Sequence, residues 1–376
     1  MKYYIIAGEA SGDLHGSNLI KELKKLDKDA EIRCWGGDMM QATGAVLVKH
    51  YKDLAFMGFT EVAKNLGTIL RNLKFCKKDI FNYQPDALIL IDYPGFNLRI
   101  AKWAKPQHFK VIYYISPQIW AWKESRVHAI RETVDKMIVI LPFEKEFYKR
   151  WKYPVDYVGH PLVEVIENFK KNTQATAQPV PNPDNPAKII ALLPGSRKQE
   201  ILKKLPIMLA LSSIFPDFHF VVAQAPGQED SFYTSILQEY KNVSSVKNET
   251  YPLLLRSDAA LVTSGTATLE TALFGVPEVV CYKSSTISYW IAKRLIKVKY
   301  ISLVNLIMNK EVVKELIQDD LTVENLQKEL NLLLYDVHRK AQLQQDYADL
   351  KKLLSEGGNA SANAAKIITN FLARNQ

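Results

Sequence analysis

Short apolar runs alternate with stretches of helical periodicity from the first residues of the chain. Tyr3 to Ala7 reads as a strand, Leu19, Ile20, Leu23 and Leu26 then fall on one face of a helix, and Glu31 to Trp35 reads as the next strand. Ala87 to Ile91 and Val111 to Ile115 are apolar without interruption, as expected of parallel strands covered on both faces, and Lys136 to Leu141 adds another. The stretch KKNTQATAQPVPNPDNPAK, beginning at Lys170, holds four prolines and no apolar period, and is read as a linker. The alternation restarts with Lys188 to Leu193, Phe218 to Ala223, Ala259 to Thr263 and Val279 to Tyr282. From Leu321 onward the period is helical only, through Leu326, Leu330, Leu333, Leu343 and Leu350 to an Ala-rich segment from Asn359 to Leu372.

This pattern predicts an α/β protein with two Rossmann-like, doubly wound domains facing a central cleft, and a helical C-terminal tail. The expected boundaries are 1–169, a Pro-rich linker over 170–187, a second domain over 188–340, and a tail over 341–376 that packs back on the first domain or is exchanged between two protomers. At 376 residues the chain exceeds the size at which one core keeps growing, which agrees with two domains.

Composition narrows the class. With 47% hydrophobic and 24% charged residues the chain is an ordinary globular protein rather than a disordered one. Three cysteines without paired spacing argue against a disulfide scaffold and for a reducing cytoplasm. The apolar N-terminus stops at Gly8-Glu9, too short for a signal peptide, and no run reaches the ~20 apolar residues of a membrane span, so any membrane contact is expected to be peripheral. A net charge of +9 implies an anionic partner. No basic block or RNA-binding signature accompanies it, so nucleic acid is not the expected partner.

The candidate chemistry sits where strands end. Gly8-Glu9-Ala10-Ser11-Gly12-Asp13 follows the first strand, with His15 just beyond, and Pro194-Gly195-Ser196-Arg197 follows the first strand of the second half. Such glycine turns let a helix N-terminus approach an anionic ligand, although the same residues serve equally as helix caps. Asp92 directly follows the Ala87 to Ile91 strand, at the edge where open parallel sheets bind ligands, and is the candidate general base. Burial would raise its pKa toward neutrality. Arg197 offers a planar fork of donors suited to a diphosphate. Ser264-Gly265-Thr266 form a second hydroxyl-lined helix start, with Glu270 one turn on as a ribose ligand. The seven histidines show no metal-binding spacing, and neither a metal nor another cofactor is expected.

Two stretches, Phe59 to Lys78 and Trp290 to Lys299, mix an apolar stripe with Lys and Arg. They read either as core-facing helices or as helices lying in an anionic membrane interface, and in the first the membrane-contact candidates are Val62, Leu66, Ile69, Leu70 and Leu73.

The chain resembles the lipid A disaccharide synthases, glycosyltransferases of the two-Rossmann GT-B type. The resemblance rests on Ala7 to Asp13, Met57-Gly58-Phe59-Thr60-Glu61-Val62, Ser116-Pro117-Gln118-Ile119-Trp120-Ala121-Trp122 with Arg126, and Leu141-Pro142-Phe143-Glu144. It continues through Val158-Gly159-His160-Pro161, Leu192 to Arg197, Ser264 to Glu270, Ala292-Lys293-Arg294-Leu295 and Leu303-Val304-Asn305-Leu306, in the family's order. The Trp-Ala-Trp segment is the most specific of these.

The resemblance implies an inverting, metal-independent hexosyltransferase that joins UDP-2,3-diacylglucosamine to 2,3-diacylglucosamine 1-phosphate in lipid A biosynthesis, at the cytoplasmic face of the inner membrane with its anionic lipids. It implies Asp92 as base and Arg197 at the diphosphate. Gly8, Glu9, Ser11 and Gly12 become the functional first loop, and Gly195, Ser196, Arg197, Glu200, Ser264, Gly265, Thr266, Glu270 and Asn305 the UDP site. It also implies a homodimer, with the tail exchanged between protomers. Gly95 stands where some members carry a second Asp, so Asp92 is expected to act alone. His15 is the alternative base. Competing readings of the same fold are a UDP-N-acetylglucosamine 2-epimerase, a peptidoglycan-type transferase, and a binding protein without turnover.

Overall fold

The uninterrupted apolar runs become the central strands of two separate parallel sheets. A computed structural model of the protein describes residues 1–54, 66–176, 188–225, 227–285, 294 and 298–374. It divides into one unit of Met1–Pro161 with Leu354–Gln376 and a second of Leu162–Leu353. The boundary expected at 169 therefore falls inside a helix, Pro161–Thr176. That helix also takes up the first residues of the expected linker, whose remaining residues, 177–187, lie outside the described residues.

The first unit is built on β1 (Lys2–Ala7), β2 (Glu31–Gly36), β3 (Val46–His50), β4 (Ala87–Ile91), β5 (Val111–Tyr114), β6 (Lys136–Val139) and β7 (Asp156–Tyr157), in the order β3-β2-β1-β4-β5-β6-β7. Every pairing is parallel. All five residues of β4 are buried, because helices cover both faces.

The second unit holds β8 (Ile189–Leu193), β9 (His219–Gln224), β10 (Val243–Lys247), β11 (Ala259–Thr263), β12 (Glu278–Tyr282) and β13 (Lys314–Ile317), in the order β10-β9-β8-β11-β12-β13, again all parallel. In each sheet the winding reverses beside its first strand, between β1 and β4 and between β8 and β11. Open α/β sheets bind ligands outside the carboxyl ends of their strands at this reversal.

The last helix, Ala360–Ala373, belongs to the first unit and packs on the helix Ala10–Leu26. Asn359 caps it by accepting a hydrogen bond from Ala362 N at 2.8 Å. The approach just before it is backbone on backbone. A Cβ placed on Gly357 would stand 2.1 Å from Gly159 N, and His160 N donates to Leu354 O at 3.2 Å. Glycine at 357 and at 159, the latter with φ +89°, is what lets the tail close on the Val158-Gly159-His160 loop.

Candidate active site

At the reversal of the first sheet, Ala7 pairs with Ile91, so the residues leaving β1 and β4 emerge side by side. Asp92 and Tyr93 both take left-handed backbone, φ 43° and 48°, and Ile115, leaving β5, does so at 63°. Left-handed geometry costs a β-branched or aromatic residue about 1–3 kcal/mol, and two such residues, Tyr93 and Ile115, beside Asp92 at one sheet edge indicate a backbone held there by its surroundings. The holding groups are identifiable. Buried Asn97 donates to the carbonyls of Asp92 (2.8 Å) and Ile91 (3.2 Å), Tyr113 Oη donates to the Asp92 carbonyl, and Asp92 N donates to Tyr114 O and Ile115 O at 3.3 Å each. The Asp92 carboxyl is left to other work.

That carboxyl is pushed up to about 7, first by burial and then by the charge of Glu9, against a hydrogen bond from Tyr93 N. Gly95 supplies no second carboxylate, and Glu9, on the neighbouring loop, is the charge that adds to the effect of burial on Asp92. A base whose conjugate acid lies near neutral pH is well matched to removing a hydroxyl proton. His15 differs: burial drives its imidazole down to about 4, and among the described residues its Nδ1 has no hydrogen-bond partner. Buried His160 is driven down to about 3, first by burial and then by the charge of His15. Of the two sequence candidates, Asp92 has the chemistry of a base at neutral pH.

The remaining first-loop residues divide between site and scaffold. Glu9 is half-buried and Ser11 exposed, so both face outward, whereas Asp13 is buried and accepts from the backbone N–H groups of Gly37, Met39 and Met40. Gly12 is required by Ala7, whose Cβ would lie 3.0 Å from any side chain there.

The Ser116 to Trp122 segment likewise splits. Trp120 is buried and donates to Glu144 Oε1 at 3.3 Å, while Glu144 Oε2 accepts from Leu141 N at 3.0 Å, so the Leu141 to Glu144 motif is the socket for the Trp motif. Burial raises Glu144 to about 7. Trp122 is 44% exposed, with the Arg126 guanidinium 4.6 Å above its ring.

In the second unit, Leu193 pairs with Val262, which sets the Pro194 to Arg197 turn beside the Ser264-Gly265 turn. Gly195 has φ +117° and Gly265 φ +147°, conformations that favour glycine. Arg197 is exposed and donates to Glu200 Oε1 at 3.3 Å. Ser264 Oγ donates to Ile301 O at 2.8 Å, which ties the turn to the next loop and leaves its lone pairs available. Thr266 opens the helix Thr266–Phe274. Glu270 is held by Tyr251 Oη at 2.8 Å, and burial raises its pKa. Tyr251, itself packed against Phe169 and Phe274, carries no sequence signal that marks it.

Asn305 does not present its amide to a ligand. Oδ1 accepts from Val312 N and Val313 N at 2.8 and 2.9 Å, and Nδ2 donates to Val313 O and Glu315 Oε1 at 2.8 and 2.9 Å. Both donors and both acceptor sites are occupied, so Asn305 clamps the loop behind the site.

The membrane-contact candidates are partly corrected. Leu73 is 7% exposed and belongs to the core, Ile69 is half-buried, and Leu70 is 54% exposed. Leu66 begins the helix Leu66–Tyr83. Val62 and the Met57 to Val62 motif lie outside the described residues, as do Ala292, Lys293 and Leu295 of the second basic stretch. The outer face of Leu66–Tyr83 presents Leu70, Phe75 and Phe81 together with Arg71, Lys74 and Lys78. Among the described residues no helix is long and apolar enough to cross a membrane, and no group of three or more His, Cys, Asp or Glu is arranged to hold a metal.

Comparison with solved structures returns the same architecture. The UDP-GlcNAc 2-epimerase from Neisseria meningitidis superposes with TM-score 0.68 at 15% identity, covering 100% of both chains. The glycosyltransferase of kitacinnamycin gives TM-score 0.66 at 15% identity, covering 99% of both. At that identity the likeness is one of fold. Sequence relatives go further. The lipid-A-disaccharide synthase of Geobacter metallireducens is 37% identical over 98% of this chain and 97% of its own. Those of Nitrosococcus oceani and Legionella pneumophila are 39% and 38% identical over 94% and 93% of this chain, and 92% of their own in each case. The family model for lipid-A-disaccharide synthetase matches residues 3–369, and the chain belongs to that family.

Proposed function

We infer that the chain carries out its family's reaction, in which a 2,3-diacylglucosamine unit passes from UDP to the 6-hydroxyl of 2,3-diacylglucosamine 1-phosphate. A β-1,6-linked disaccharide 1-phosphate and UDP are formed. Asp92 takes the proton of the acceptor hydroxyl as its oxygen bonds to the anomeric carbon, and the bond from that carbon to the UDP oxygen breaks on the opposite side. The charge arriving on UDP is met by Arg197 and by the N–H groups of the Gly195-Ser196 and Gly265-Thr266 turns. Glu200 orients Arg197, and Glu270, steadied by Tyr251, accepts hydrogen bonds from the ribose.

The observation that carries this reading is the Asp92 carboxyl, fixed by left-handed backbone at the reversal of the first sheet and raised to about 7. The test is UDP release from the two acylated substrates by the parent and by Asp92→Asn. Loss of ~100-fold or more in kcat/KM with UDP binding intact is the expected result, and an Asp92→Asn enzyme that keeps most of its activity rules the assignment out.

Both substrates carry acyl chains, so we propose that the protein works from the cytoplasmic face of the membrane. The helix Leu66–Tyr83 is the contact, with Leu70, Phe75 and Phe81 entering the interface and Arg71, Lys74 and Lys78 meeting anionic headgroups.

A further inference from the structure

Lys204 stands in the second turn of the helix Lys198–Leu209, a position where an exposed lysine would attract no notice, yet it is 1% exposed. Helical side chains run back toward the N-terminus of their helix, and this one does so far enough to reach the turn before it. A Cβ placed on Gly195 would lie 3.5 Å from Lys204 Nζ and 3.0 Å from Glu200 Oε2. The ammonium is thus stored directly beneath the Pro194-Gly195-Ser196 turn.

Its surroundings are unfavourable for a cation in three respects. Burial lowers its pKa, with the charge of Arg197 adding to the effect and that of Glu200 opposing it. The N-terminal end of a helix carries positive dipole charge, so a second cation there is repelled. Nor does a hydrogen bond or ion pair hold Nζ among the described residues; the Glu200 carboxylate beside the turn accepts from Arg197 at 3.3 Å. A cation on a side chain this far removed from water is costly, and the cost falls when an anion enters the turn beside it.

We propose that Lys204 is a ligand of the donor's diphosphate, acting through the Gly195 turn and adding a second cation to Arg197's exposed guanidinium. Glycine at 195 then has a second purpose beyond its φ of +117°, because any side chain there would crowd the channel between the ammonium and the bound phosphate. The inference rests on the reading that this turn holds UDP and adds a residue to it.

Titration of UDP and of uridine into the parent and into Lys204→Met, a neutral side chain of similar length, tests it. UDP affinity is expected to fall about tenfold or more in the variant, as for loss of a charge-assisted hydrogen bond, while uridine, which has no phosphate, binds both proteins alike. The ligand-free variant is expected to melt at or above the parent's temperature. UDP affinity within twofold of the parent overturns the proposal. A parent that fails to bind UDP at all overturns instead the underlying reading of the turn. Acetylation of Lys204 in the unmutated protein, followed by mass spectrometry, gives a measurement that does not depend on the variant folding. UDP slows it and uridine does not if Lys204 meets the diphosphate, and equal rates in the two overturn the proposal.

Discussion

The ring of Tyr93 occupies the space that a side chain at residue 8 would need: a Cβ on Gly8 would stand 2.3 Å from Tyr93 Cγ. The loop leaving β1 and the turn leaving β4 are therefore locked together, and Asp92 sits beside the lock. Gly8→Ala forces Tyr93 aside and disturbs the left-handed pair with it. Overpacking of this kind costs about 1–3 kcal/mol. We expect a lowered melting temperature and kcat reduced at least ~10-fold, with UDP affinity unchanged. Calorimetry and steady-state kinetics on the one variant check all three.

Asp92→Asn is expected to separate stability from activity. The folded-state pKa of Asp92, about 7, lies above its ordinary value of 3.8, so its favourable contribution to stability is present in full below about pH 3.8 and is lost as pH rises through 7. At pH 8 the parent carries a buried charge that Asn does not. The variant should melt above the parent at pH 8, and the margin should narrow toward pH 4. A constant difference across that range would contradict the burial of Asp92 as the cause.

The same titration sets the acid limb of catalysis. Activity needs the carboxylate, so kcat/KM should fall about tenfold per pH unit below about 7. Glu9→Gln removes the neighbouring charge that helps raise Asp92, and the limb should move to lower pH. A pH profile of the two proteins decides it, and an unmoved limb would mean that Glu9 does not act on Asp92.

Tyr251→Phe deletes the donor to Glu270 and leaves the packing against Phe169 and Phe274 in place. Loss of one such hydrogen bond is worth about 1–1.5 kcal/mol, so KM for the UDP donor should rise roughly 5- to 10-fold with kcat little changed.

Leu70 and Leu73 lie one turn apart on the same helix and should respond oppositely. Leu73→Ser puts a hydroxyl into the core and should destabilise the fold by about 2–4 kcal/mol. Leu70→Ser combined with Phe81→Ser alters exposed positions, so melting should hardly change while binding to anionic vesicles drops. Vesicle flotation alongside thermal melting distinguishes them.

Periodicity and strand-end glycines were enough to establish the two doubly wound domains, because strands covered on both faces have to be apolar throughout. Asp92 and Arg197 could be singled out as candidates for a related reason: Asp92 follows such a run directly, and Arg197 follows one across the Pro194-Gly195-Ser196 turn. The strands that escaped notice are β3, β7, β10 and β13. All four are edge strands of their sheets, and each carries charged or polar residues: Lys49 and His50 in β3, Asp156 in β7, Ser244, Ser245 and Lys247 in β10, and Lys314 and Glu315 in β13, so none has the uninterrupted apolar run of a central strand. What only tertiary structure decided were the burial and partners of individual side chains. Glu9 raises Asp92, Tyr251 holds Glu270, Asn305 is consumed by the backbone of Val312 and Val313 and the side chain of Glu315, and Lys204 lies beneath Gly195. Sequence records what a residue is able to donate, accept or ionise, but burial and partners determine which of those capacities remains free, and these are settled by packing.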